Sequence, residues 1–153
     1  QLRKSIIKAL KQAGKEGESR DGMDISLLAF NKSKKEVKFA GANNPLYHFR
    51  NNELQEYKGS KMPIGIYEHM ESFTCKTFEI IEGDTVYLFS DGYADQFGGP
   101  KMKKFMYSNF KKLLLDIQPK SMCEQFVILN KTMEEWRGSK EQVDDIVVIG
   151  IRF

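Results

Sequence analysis

Two short stretches of this chain combine residue types that could do metal-assisted chemistry. In Tyr87-Leu88-Phe89-Ser90-Asp91-Gly92 an apolar run stops at an acid–glycine pair, and a second acid follows at Asp95. In the other stretch, Asp144-Asp145 leads into the apolar run Ile146 to Ile151. Both place carboxylates at the end of a run that reads as a buried strand. A buried carboxylate is costly unless it is paired or coordinates a metal. Oxygen ligands of this kind suit Mg²⁺ or Mn²⁺ rather than zinc. Strands laid side by side would bring Asp91 and Asp144 together at one edge of a sheet, and Gly92 would let a water or substrate approach the backbone. Taken singly, each stretch also reads as an ordinary turn or a solvated strand cap.

The elements that must position these acids follow from periodicity. Leu2, Ile6, Leu10 and Ala13 share one helical face that stops at Gly14. Residues 15–22 are a polar, glycine-bearing loop. Residues 23–31, 36–42, 46–50 and 53–57 read as short strands, and Asn51-Asn52 suits a two-residue hairpin because asparagine tolerates positive φ. After a loop punctuated by Gly59, Pro63 and Gly65, residues 72–80 and 85–90 read as further strands. The period then changes. Met106, Phe110, Leu113, Leu114 and Ile117 fall at helical spacing. A second helix opens on a capping box, Ser121 with Glu124, and runs along Met122, Phe126, Leu129, Met133 and Trp136 to Gly138. Residues 144–153 close the chain as a strand apolar enough to be central in a sheet. Strands in the middle with helices grouped at front and back give an α+β layered domain rather than a doubly wound one.

Composition sets limits on the function. The balance of 24 basic and 21 acidic residues, net +3, is too small and too scattered to argue for nucleic acid. Cys75 and Cys123 form no CxxC and neighbour no histidine, so two lone thiols suit a reducing compartment better than a zinc site or a disulfide scaffold. The run Ile146 to Ile151 is far short of the ~20 residues a membrane helix needs. His48 and His69 lack an acid at ligand spacing and read as structural. The methionines and Trp136 read as packing, and residues 96–105, Gln-Phe-Gly-Gly-Pro-Lys-Met-Lys-Lys-Phe, as a flexible basic loop over the site.

Read in order, "AGANNPLYHFRNNEL", "PIGI", "EGDTVYLFSDGYADQFGG" and "QVDDIVVIGI" resemble the sporulation-stage-II-E type of metal-dependent protein phosphatase. This is the bacterial branch of the type 2C (PPM) serine/threonine phosphatases, and the resemblance runs from about Gly22 to Phe153. It implies a sandwich of two antiparallel sheets flanked by helices. It also implies two divalent ions, Mg²⁺ or Mn²⁺, roughly 3.5–4 Å apart, which activate a water for in-line attack on a phosphoserine or phosphothreonine. The metal and catalytic aspartates of the family fall on Asp91 and Asp144, with Gly92 beside the first. Asp95, Asp145 and Asp21 are weaker candidates, Asp95 and Asp21 for a third ion.

The resemblance also implies what to expect around this segment. The family's early Asp-Gly, which bridges both ions, and its N-terminal strands are expected upstream of Gln1, so residues 1–153 would be part of a phosphatase domain and inactive alone. Relatives act on small phosphorylated anti-sigma-factor antagonists and carry upstream sensor domains, which gives a phosphoprotein substrate in bacterial signal transduction. The expected location is the cytoplasm, with any membrane anchor in upstream domains. A sheet edge left unpaired would invite self-association. The alternative is a degenerate phosphatase-fold module that binds a phosphoprotein without hydrolysing it.

Overall fold

The computed structural model describes residues 1–14 and 21–153; of the loop expected over 15–22, residues 15–20 lie outside the described residues. The elements are α1 (Leu2–Ala9), β1 (Ile25–Asn31), β2 (Glu36–Ala42), β3 (Leu46–Arg50), β4 (Glu53–Tyr57), β5 (Lys76–Glu79), β6 (Thr85–Phe89), α2 (Gly92–Asp95), β7 (Phe97–Gly98), β8 (Lys103–Lys104), α3 (Tyr107–Asp116), α4 (Met122–Arg137) and β9 (Val148–Arg152). They fall into two compact units, Gln1–Leu46 with Tyr57–Ile80, and Tyr47–Glu56 with Ile81–Phe153. The α+β class expected from the sequence is borne out.

In the first unit a three-stranded sheet runs in the order β1-β2-β5, both pairings antiparallel. β2 supplies its buried apolar side chains, Val37, Phe39 and Ala42. Two expected boundaries move. β5 begins at Lys76, so residues 72–75 are not strand. α1 stops at Ala9 rather than continuing to Ala13. Lys11 takes a left-handed backbone (φ 51°), and the amides of Lys11 and Gln12 return to the carbonyls of Lys8 and Ile7. That closure satisfies the last carbonyls of the helix without waiting for Gly14.

In the second unit the sheet order is β4-β3-β6-β9. The β3–β4 hairpin turns on Asn51 and Asn52, both at positive φ (50° and 63°), as the turn requires. Tyr47, Phe49, Tyr87 and Phe89 from β3 and β6 pack with Tyr93, Phe110, Leu114, Leu129 and Met133 to form one core. The rings interlock edge-on, Phe49 with Tyr87 at 5.6 Å and Phe89 with Phe110 at 5.1 Å. α4 carries the expected capping box of Ser121 and Glu124. Its face differs from expectation at Phe126, which is 65% exposed while Leu129 and Met133 are buried. Among the described residues β9 stands at the end of the strand order, next to β6. Residues 96–105 are not simply loop, because β7 and β8 pair antiparallel within them.

Candidate metal and active site

The two acidic stretches meet because β6 and β9 pair antiparallel, Phe89 opposite Val148, so that the end of one strand adjoins the approach to the other. Three contacts then fix the approach. The Ser90 hydroxyl donates to the Asp145 carbonyl at 2.7 Å and accepts from the Val147 amide at 3.0 Å, while the Ser90 amide donates to the Val147 carbonyl. Gln96, fully buried, donates from Nε2 to the Glu141 carbonyl at 2.9 Å and accepts at Oε1 from the Val143 amide at 3.2 Å. The segment carrying Asp144 and Asp145 is therefore held on both sides by polar groups from the Asp91 side.

Gly92 closes the contact. A Cβ placed there would sit 2.4 Å from the Asp145 carbonyl oxygen and 3.3 Å from that of Asp144. Glycine is required because the other acidic stretch occupies the space a side chain would need. The sequence suggests that Gly92 makes room for a water or substrate; the room at its Cβ is filled by the backbone before Ile146 instead.

Each candidate acid has a definite setting. Asp91 is half-buried and caps α2 without a side-chain cap bond. Asp144 is exposed, and its Oδ1 accepts from the Asp145 amide at 2.7 Å, which turns the carboxylate back over its own backbone. Asp145 is exposed. Asp95 is paired with Lys104 Nζ at 2.9 Å, so a cation already neutralises it. Asp21 belongs to the first unit, where it is exposed and its carbonyl accepts from Gln12 Nε2. Among the described residues no group of three or more His, Cys, Asp or Glu side chains is placed to hold a metal ion. Carboxylates such as those of Asp91 and Asp144 are the donor type that Mg²⁺ takes, commonly one or two at a time with waters and substrate phosphates completing its shell.

Sequence reasoning missed the residues that build this arrangement. Ser90 and Gln96 read as a strand end and a loop residue, and Lys104 as part of a basic surface. Their partners, Lys104's apart, lie more than forty positions away along the chain, so no local signal marks them. The acid beside His48 was missed too: Asp84 sits 3.0 Å from His48 Nε2, and both are buried.

The family model for Stage II sporulation protein E (SpoIIE) matches residues 3–153. The chain belongs to the SpoIIE family. The SiaA PP2C domain of Pseudomonas aeruginosa superposes with a TM-score of 0.78 at 27% identity, covering 99% of this chain and 66% of that domain. The phosphatase domain of the cell fate determinant SpoIIE from Bacillus subtilis gives 0.64 at 16%, covering 98% and 64%. The PPM Ser-Thr phosphatase MsPP from Mycobacterium smegmatis, solved with cacodylate, gives 0.57 at 14%, covering 98% and 70%. The last two likenesses speak for the fold alone. The SpoIIE-family chain spans just under two thirds of the length of the first two domains. No curated protein matches it. The family resemblance and the phosphatase fold expected from the motifs are both borne out. Among the described residues no helix is long and apolar enough to cross a membrane.

Proposed function

We propose that this chain contributes an acidic part of the active site of a Mg²⁺- or Mn²⁺-dependent phosphatase that acts on phosphoserine or phosphothreonine in a signalling partner protein. The supporting observation is the clamp described above, in which Ser90, Gly92 and Gln96 lock the Asp144 segment against Asp91. A structure that only needed a turn after β6 would have no use for such a fixed second acidic stretch. In this reading Asp91 and Asp144 hold the ion, and Asp95 becomes available to a further ion when Lys104 is displaced. A bound divalent ion supplies Lewis-acid polarisation of the phosphoryl oxygens and of a water. In this reading the chain's own residues would hold the backbone of the Asp144 segment beside Gly92 before any ligand arrives, which would lower the reorganisation needed at the reacting centre. A phosphorylated anti-sigma-factor antagonist is the substrate class that fits the family, and an upstream sensor domain the source of its regulation.

The test is calorimetric titration of the isolated chain with Mn²⁺, alongside hydrolysis of p-nitrophenyl phosphate. Weak binding that disappears in both Asp91→Asn and Asp144→Asn, with poor or no turnover, is the expected result. Brisk Mn²⁺-dependent turnover by the chain alone, or binding that survives both substitutions, overturns the assignment.

A further inference from the structure

From Gln96 to Leu115 the sequence holds five lysines and no acid. Two of the five are neutralised, Lys104 by Asp95 at 2.9 Å and Lys111 by Glu56 at 2.7 Å. Lys101, Lys103 and Lys112 are exposed, and none of them joins an ion pair among the described residues. Lys101 and Lys103 belong to the β7–β8 hairpin. Lys101 lies in the turn that the Met102 amide closes on the Gly99 carbonyl, and Lys103 stands opposite Gly98. Burying an unpaired ammonium is costly, so these two positions face water or an acid whatever further chain adjoins them.

The hairpin is a fixed projection. Gly98 and Gly99 lie against Trp136: a Cβ on Gly98 would collide with the Trp136 carbonyl, and one on Gly99 would stand 2.6 Å from the indole ring. The Gly99 amide donates to that same carbonyl at 2.8 Å, and Trp136 Nε1 donates to the Gln96 carbonyl at 3.0 Å. The hairpin is rooted on α2, the helix that Asp91 caps. The Phe105 and Met106 amides return to the carbonyls of Gln96 and Ala94 at 2.9 and 2.7 Å, and Lys104 reaches Asp95, one helical turn from Asp91. A basic surface is thereby held next to α2 before anything binds, which lowers the cost of ordering it in a complex.

We infer that the β7–β8 hairpin docks an acidic flank of the phosphorylated segment on which this site acts, an inference that rests on the reading of Asp91 and Asp144 as ion-holding residues. The partner chemistry is a phosphoserine or phosphothreonine with Asp or Glu close to it in sequence. Lys101 and Lys103 supply the uncompensated ammonium groups that such carboxylates seek, over a length that suits a short flank. Charge of opposite sign beside the site steers an acidic segment toward it and fixes the register in which it lies. A nucleic-acid backbone is served less well. The end of α4 that packs on the hairpin carries exposed Glu134 and Glu135, so the positive charge does not extend into the track that a long polyanion follows.

Fluorescence anisotropy of the 153-residue chain with two labelled phosphoserine peptides tests the inference, one peptide flanked by glutamates and the other by lysines. Measured in EDTA at low ionic strength, the acidic peptide should bind at least about tenfold more tightly, and its binding should weaken as salt is added. Lys101→Glu combined with Lys103→Glu should abolish this preference. The same change in net charge made at Lys120 and Lys131, both exposed, should keep it. Equal binding of the two peptides, a preference that survives in the hairpin variant, or one lost equally in both variants overturns the proposal. So does a single-stranded oligonucleotide held as tightly as the acidic peptide and released by the hairpin variant, which would assign the surface to nucleic acid. Calorimetry with Mn²⁺ separates this inference from the reading it rests on. The hairpin variant should keep the Mn²⁺ isotherm of the natural chain, which also shows that it folds. Absent peptide preference with Mn²⁺ binding intact removes the docking surface alone, and peptide preference without Mn²⁺ binding removes the metal site alone.

Discussion

β6 delivers an aspartate at each end, and the two have opposite surroundings. Asp84, before the strand, is 1% exposed and surrounded by donors. Arg50 binds it through two nitrogens at 2.9 and 2.6 Å, the Ile81 amide donates at 3.0 Å, and His48 Nε2 lies at 3.0 Å. Burial alone would raise its carboxyl above the usual range, but Arg50, the Ile81 amide and His48 outweigh it and hold it below. Asp91, after the strand, is half-buried, caps α2 without a side-chain cap bond, and precedes the glycine against which Asp144 and Asp145 pack. What is packed around each acid differs: Asp84 serves as a structural carboxylate, while Asp91 is the one proposed above to hold an ion. The first is enclosed by bases and donors of the protein. The second adjoins a glycine against which the backbone of another acidic stretch packs.

The largest expected effect breaks the comparison at its buried end. Asp84→Ala should destabilise the fold by about 3 kcal/mol, the low end for breaking a buried pair because Arg50 keeps part of its side chain in water. Asp91→Ala should change stability by less than about 1 kcal/mol while removing Mn²⁺ binding. Urea denaturation of both variants decides it, and equal losses would erase the distinction. Next in size, Gly92→Ala should cost about 1–3 kcal/mol, because its methyl group cannot enter the space held by the Asp145 carbonyl without moving that backbone. The same variant should weaken Mn²⁺ binding although no ligand is altered. Unchanged thermal stability in Gly92→Ala would mean that the acidic stretches are not locked together.

The smallest effect sharpens the buried end further. Desolvation lowers the pKa of His48 below its ordinary 6.5 despite the opposing pull of Asp84, so the folded protein favours the neutral imidazole. The unfolded chain then binds the proton first. Stability is fully present above pH 6.5 and declines as pH falls toward the folded pKa, with a slope of up to about 1.4 kcal/mol per pH unit for one proton. Asp84, whose pKa is also lowered, adds to the loss only below 3.8, its ordinary value. Denaturant midpoints measured from about pH 7.5 to about pH 4.5, a range that brackets the histidine titration, should show this decline in the natural chain and a shallower one in His48→Gln. Parallel profiles would remove His48 from the network.

Much of this molecule was legible in its sequence. The Asn51-Asn52 hairpin, the capping box at Ser121 and the strand runs through β6 follow from rules that act within a few residues. The acids at the ends of two apolar runs could be picked out the same way, and their order along the chain carried the family. Elsewhere the local rules fell short. α1 closed early at Lys11 because its carbonyls found partners there. Phe126 kept the period of the α4 stripe but is exposed, lining a cavity between α4 and β9.

By itself, then, the sequence determined which residue types stand at the strand ends, and that these are oxygen donors. Only the tertiary structure decided how they are used. The β6–β9 pairing joins Asp91 to a segment about fifty positions away, and Ser90, Gly92 and Gln96 hold it there through contacts of similar range. The same folding sends Arg50 and His48 to one end of β6, where they enclose Asp84, and a second acidic stretch to the other end, beside Asp91. The reason is that charge compensation and steric exclusion depend on distance through space. Periodicity and capping depend on distance along the chain.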